Sequence, residues 1–223
     1  MLTGYPAGVG RGTVEAAYGR RAEEYSDLLG SMRATHEDDR RLVAQWARTL
    51  SGPVLDVGCG PGHWTQYLWH QGLDVTGVDL APEMVALARE RYPHLTFERA
   101  DLMDLDVPDG HAAGIFAWYS LIHVDPIRMP AALRELARVT VPGGSLLVGY
   151  FLGTSGTPFQ HAVTTAYYWS AGSLSRLLAD AGFDVLTTTS RPAPRNGPLA
   201  ALRGRPPAVQ GSRPHGAIVA RRR

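Results

Sequence analysis

Val54-Leu55-Asp56-Val57-Gly58-Cys59-Gly60-Pro61-Gly62-His63-Trp64-Thr65 decides how the rest of the chain is read. An apolar run ends in an acidic residue, glycines follow at every second position, and a helix can begin just after. This pattern reads as a buried parallel strand entering a tight turn, where absent Cβ atoms let the backbone approach a nucleotide-type ligand. A dinucleotide fingerprint needs Gly-x-Gly-x-x-Gly, its third glycine packing the helix on the strand while the helix N-terminus faces a pyrophosphate. Here that third position is His63, and glycine comes one residue early, at Gly62. No Gly-Lys-Ser/Thr occurs, so a P-loop is excluded. Asp56 would repel a pyrophosphate and attract an ammonium group. A cofactor with an amino-acid end and no phosphate suits the turn better.

The stretch Asp56-Val57-Gly58-Cys59-Gly60-Pro61-Gly62 resembles motif I of the class I S-adenosylmethionine-dependent methyltransferases. The resemblance implies S-adenosyl-L-methionine as cofactor. Gly58, Cys59, Gly60 and Gly62 would surround its methionine part, with Asp56 beside them.

Length and composition are those of one compact domain with decoration: 223 residues, 44% hydrophobic and 19% charged. No apolar stretch approaches the ~20 residues of a membrane span. The segment 1–12 lacks the apolar core of a signal peptide, so a cytoplasmic enzyme is expected. A single cysteine, Cys59, excludes an internal disulfide and a thiolate metal cluster. Histidines and carboxylates do not pair at ligand spacing, so no metal is expected. All 22 basic residues are arginine, which excludes Schiff-base chemistry on lysine. Eight of them fall in 191–223, where there is no acid. Such a tail supplies only a salt-sensitive, sequence-blind attraction to nucleic acid.

Along the chain, Tyr18, Ala22, Tyr25 and Leu29 form a helical stripe from Val14 to Leu29. A second helix is expected from His36 to Leu50, capped by Thr35 with Asp38 three residues on. Residues 1–52 thus read as an N-terminal helical lid or brace, and 53–223 as the core. In the core, strands at 54–57, 74–78, 95–100, 112–119 and 145–151 alternate with helices at 63–71, 82–92 and one ending near Val139, its regular part starting at Asp125 or Pro130. A Val141-Pro142-Gly143-Gly144 turn precedes the fifth strand. An aromatic insertion at 152–169 leads to a helix capped by Ser170, a strand at 183–189, a flexible loop at 192–215 and a short strand at 217–220. The alternation predicts a parallel sheet with helices on both faces. The resemblance implies a Rossmann-like, seven-stranded, mostly parallel sheet whose last two strands form an antiparallel hairpin.

Asp79 ends the second strand about 20 residues after Gly58, where a carboxylate can accept from both ribose hydroxyls. By resemblance, Leu80 and Met84 contact ribose and adenine, a purely core role being equally open for Met84, and Asp101 with the Leu102 backbone takes the adenine edge. The resemblance also implies that Trp118 and Tyr119 lie beneath the reacting methyl and that Tyr18 is a lid residue near the cofactor carboxylate. Asn/Asp-Pro-Pro-Tyr, which would mark a nucleobase-amine or amide substrate, is replaced by Trp118-Tyr119-Ser120. For an acceptor that loses a proton a base helps, and His123 and His161 are the candidates. His63 either touches the cofactor or bonds to backbone. Tyr18, Tyr25, Trp64, Tyr119, Phe159, Tyr167, Tyr168 and Trp169 either converge on an aromatic acceptor pocket or serve as core between lid and sheet, with nothing in the sequence to choose between the two. The expected activity is methyl transfer to O or N, less readily C, of a small molecule, by a monomer or homodimer. The rivals are a non-methylating binder of the same cofactor and a nicotinamide-dependent oxidoreductase.

Overall fold

A computed structural model describes residues 11–161, 163–192 and 213–223. Most of the predicted loop at 192–215 therefore lies outside the described residues. Nine strands are described: β1 (Val54–Val57), β2 (Val75–Asp79), β3 (Thr96–Arg99), β4 (Ala112–Trp118), β5 (Thr140–Phe151), β6 (Pro158–Gln160), β7 (Thr165–Tyr167), β8 (Phe183–Arg191) and β9 (His215–Arg222). The helices are α1 (Arg11–Gly19), α2 (Ala22–Leu29), α3 (Glu37–Ala47), α4 (His63–His70), α5 (Pro82–Arg91), α6 (Met129–Val139) and α7 (Ala171–Asp180).

Seven strands form one sheet in the order β3-β2-β1-β4-β5-β9-β8. The first five run parallel, while β9 lies antiparallel between β5 and β8. This ending differs from the all-parallel 3-2-1-4-5-6 order of a dinucleotide-binding sheet. Strand alternation divides the core between two faces. Leu55, Val57, Ile115, Leu146 and Val148 meet α6 and α7 on one face; Val54, Val75, Phe116 and Leu147 meet α3 and α4 on the other. Because both faces are covered, all four residues of β1 are buried. That burial explains why β1 is apolar at every position except Asp56, the carboxylate it carries to the site.

Several expectations needed correction. The stripe from Val14 to Leu29 is broken into α1 and α2 at Arg20 and Arg21. Gly19 sits so close to Glu83 that a Cβ there would lie 2.6 Å from its carboxylate, and the chain turns at that point. The cap of α3 is His36, whose Nδ1 accepts from the Asp38 N–H at 3.2 Å. Thr35 instead donates its hydroxyl to Met32 O at 2.7 Å, closing a short 3-10 turn at Met32–Ala34. The Pro-Gly-Gly turn lies inside β5, where the register with β4 slips between Ala112 and Gly114. The insertion at 152–169 is no plain loop: β6 and β7 pair into a small antiparallel sheet of their own. Finally, β8 and β9 run further than expected, so that Arg191 and His215 are paired strand residues.

Candidate active site

The carboxyl ends of β1, β2 and β4 open into a cavity of about 440 Å³, roofed by α1, α2, the segment before α3 and the 3-10 turn Leu121–His123. Gly58 follows β1 with φ 79°, and a Cβ on it would lie 2.3 Å from that of Ser120. Only glycine lets the end of β4 cross here. Gly62 is the α4 cap, with φ 83°, and its Cβ would meet the Phe97 ring at 2.7 Å. Its work is to seat α4 against β3; Gly62 does not line the cavity.

Asp79 accepts the Gly60 N–H on Oδ2 and the Ala81 N–H on Oδ1, each at 2.9 Å. One carboxylate thus braces the glycine turn and serves the start of α5, where Ala81 offers no capping side chain. Burial raises its pKa despite these bonds. Asp56 is 2% exposed, accepts from the Thr65 hydroxyl at 2.6 Å, and has its pKa pushed up to about 7. Burial is the main cause; the Thr65 bond opposes it and the Asp79 charge adds to it. Two carboxylates facing one cavity make this end a receptor for a cation and for hydroxyl donors. Those are the needs of the ammonium and ribose of S-adenosylmethionine. Cys59, raised by burial and by Asp79 and Asp56, stays a thiol.

Tyr18 reaches from α1 and donates its hydroxyl to His123 Nε2 at 2.8 Å. His123 Nδ1 lies 2.8 Å from the Thr165 carbonyl of β7. A carbonyl only accepts, so the proton is on Nδ1 and the Nε2 lone pair faces Tyr18. Burial lowers the His123 pKa to about 4, although the Thr165 bond works the other way. Lid, turn and insertion are therefore joined through one neutral imidazole. His161, 6% exposed, packs its ring against His123 and Phe151. His63, also held near 4, by burial and then by Arg91, is buried with no partner for Nδ1 among the described residues.

Of the residues singled out in the sequence, Tyr18, Asp56, Gly58, Cys59, Gly60, Asp79, Leu80, Asp101, Leu102, Trp118, Tyr119, His123 and His161 line this one cavity. Met84 does not. It is fully buried under the lid with Ala22, Ala81, Tyr18 and Tyr25. Asp101 accepts the Met103 N–H at 3.0 Å, shaping the turn after β3. The insertion aromatics also lie elsewhere: Phe159 stacks on Tyr168 at 4.2 Å beneath Arg213, and Tyr167 and Trp169 are core. Sequence reasoning missed Phe151, Asp39, Arg191 and His215, which close the far end. There Arg191 holds both oxygens of Asp39, and the Tyr119 hydroxyl pairs with His215 Nδ1. Burial works against the charge on Arg191, but Asp39 outweighs it. Burial and Arg191 lower His215 to about 4. No group of three metal-ligating side chains occurs among the described residues. No described helix is long and apolar enough to cross a membrane.

Comparison with known proteins agrees with this geometry. Residues 54–144 match the family described as a methyltransferase domain. Over 131 residues the chain is 34% identical to a malonyl-acyl-carrier-protein O-methyltransferase of Pectobacterium atrosepticum, covering 59% of this chain and 50% of that protein. The chain spans about half the length of the curated relatives first matched. Among solved structures, the 4+2 cyclase SpnF aligns with a TM-score of 0.79 at 21% identity, over 99% of this chain and 98% of that one. A Burkholderia thailandensis 1,6-didemethyltoxoflavin-N1-methyltransferase, solved with its substrate and S-adenosylhomocysteine, gives 0.72 at 19% identity over 99% and 93%. Motif, sheet order and matched segment together show that residues 54–144 are a methyltransferase domain set in the class I S-adenosylmethionine-dependent methyltransferase fold.

Proposed function

We propose that the protein transfers the methyl group of S-adenosylmethionine to an oxygen or nitrogen of a small molecule. One observation carries the reading: a single cavity joins the glycine turn, Asp56 and Asp79 at one end to an aromatic and histidine-lined chamber at the other. When bound, the sulfonium supplies an activated methyl, so the protein's task is alignment and exclusion of water. In our reading the Gly58–Gly60 backbone and Asp56 hold the methionine part, Asp79 the ribose, and Asp101 with Leu102 the adenine. Trp118 and Tyr119 then flank the reacting methyl, and Tyr18 closes over it. The acceptor fits between Tyr119, Phe151, His123 and His161.

His123 is placed to act on an acceptor, but Tyr18 occupies its lone pair. An alcohol or phenol must displace Tyr18 before His123 can take its proton. An acceptor that arrives without a proton to lose needs no such exchange. Relatives named as O-methyltransferases and an N1-methyltransferase of the same fold support an O or N acceptor. A second reading, in which the cofactor is bound but not consumed, is favoured by the neutral, already engaged state of His123.

The experiment is S-adenosylhomocysteine release from S-adenosylmethionine, followed by mass spectrometry across panels of acids, phenols and amines. Acceptor-dependent release supports methyl transfer. Binding of the cofactor without release on any panel favours the second reading.

A further inference from the structure

At the far end of the cavity two hydrogen-bonded pairs stand side by side, Tyr119 with His215 and Arg191 with Asp39. The same four residues line a second cavity of about 300 Å³, floored by α3 and the ends of β8 and β9. The pairs are therefore the wall between two cavities. Two irregularities fall within that wall. Tyr119 has φ 59°, the left-handed region, and no other non-glycine residue among those described has a positive φ. Residues held this way cluster where ligands act. Arg191 is the second: its Nη1 is buried and has no acceptor among the described residues. A guanidinium N–H shut from water without a partner is costly, and the partner it lacks is an oxygen.

The charges in the cavity are also unevenly divided. Asp56, Asp79 and Asp101 stand at the cofactor end with no arginine beside them among the described lining residues, whereas Arg191 and Arg128 line the acceptor side together with Asp39 and Asp125, which offset their charge. Arg128 follows closely on the turn that carries His123 and makes no ion pair among the described residues. A planar guanidinium with open N–H groups selects a carboxylate over other oxygens, because charge strengthens the bond.

We propose that Arg191 is a specificity-determining residue of the acceptor site, and that the acceptor carries a carboxylate which takes the open Nη1–H. This rests on the methyltransferase reading, since it names the acceptor of that reaction. Nη1 is closed off in the present state, so the ligand oxygen reaches it as the wall rearranges. The strained Tyr119 backbone favours that movement. Asp39 holds the guanidinium in place and competes with the incoming anion for its charge.

The test is calorimetric titration of protein saturated with S-adenosylhomocysteine, using benzoate and trans-cinnamate against benzamide and cinnamamide. The acids are expected to bind at least about tenfold more tightly than the amides, the worth of one charge-assisted bond. Arg191→Gln should erase that preference, Arg191→Lys should keep part of it, and Asp39→Asn should tighten the acids. Affinity for S-adenosylhomocysteine should change less than about twofold in each. Equal binding of acid and amide, binding of neither, or a preference that survives Arg191→Gln overturns the proposal. If Arg191→Gln does not fold, Asp39→Asn decides. A pair that merely ties α3 to β8 would lose melting temperature there without any gain for the acids. Failure of the wild-type protein to bind S-adenosylhomocysteine would instead remove the methyltransferase reading.

Discussion

Asp79 braces the fold and, in the proposed complex, holds the ribose with the same carboxylate. Each oxygen already accepts a backbone N–H, from Gly60 and from Ala81, and each keeps a lone pair for a ribose hydroxyl. Asp79→Ala should weaken S-adenosylhomocysteine binding by roughly 1.5–3 kcal/mol, the range for hydrogen bonds to a charged group. It should also lower the melting temperature, because two N–H groups lose their acceptor. Asp79→Asn should keep part of both. Calorimetry would show an unchanged affinity if the ribose contact were misassigned. Asp56 makes a pH prediction. Its pKa in the folded protein is about 7, well above the ordinary carboxylate value. The neutral form therefore favours folding at low pH, and that contribution is lost as pH rises through about 7. An ammonium group reverses the preference by stabilising the carboxylate. S-adenosylhomocysteine binding should thus release protons and tighten between about pH 6 and 8, which titrations in buffers of different ionisation enthalpy would detect. No proton release would place the ammonium away from Asp56.

Among the elements, the glycine turn shows how packing fixes a motif. Gly62→Ala combines φ 83° with a Cβ 2.7 Å from Phe97. We expect a loss of about 2–3 kcal/mol, or a fall in melting temperature of roughly 5–10 °C for a domain of this size. A shift under about 2 °C would mean that α4 is not seated on β3 as described. Strands β1, β2, β4 and the second half of β5 were legible because they are largely buried on both faces and mostly apolar, whereas β3 buries only Phe97. The Thr35 cap was misplaced because two neighbouring polar side chains compete, and the 3-10 turn takes the hydroxyl. Arg191 and His215 were missed because they end strands that continue past their apolar residues into a proline- and arginine-rich stretch. Their meaning comes from strand pairing across the hairpin, which no local pattern carries. Met84, for which a core role was equally open, lies outside the cavity for the opposite reason. Its spacing from Asp79 is right, but the lid residues Ala22, Tyr18 and Tyr25 claim its side chain.

At the scale of the whole molecule, the lid is held over the sheet by few polar ties. For α1 and α2 these are the Tyr18–His123 bond, the Arg99–Glu15 ion pair and the contacts of Arg91 with Asp27 and with the Ser26 and Gly30 carbonyls. The break between α1 and α2 exposes the backbone near Arg20 and Arg21, where trypsin can cut. S-adenosylhomocysteine, by filling the cavity beneath Tyr18, should slow that cleavage several-fold, followed by peptide mass spectrometry. Equal rates with and without ligand would separate lid from cofactor. The sheet order with its antiparallel β9 sets this frame apart from nicotinamide-binding sheets, and Asp56 beside the turn disfavours a pyrophosphate. The central claim is therefore tested most directly by one calorimetric experiment, titrating the protein with S-adenosylhomocysteine and separately with NADH. Micromolar binding of the first and none of the second is the predicted result. Binding of NADH, or of neither, would contradict the account.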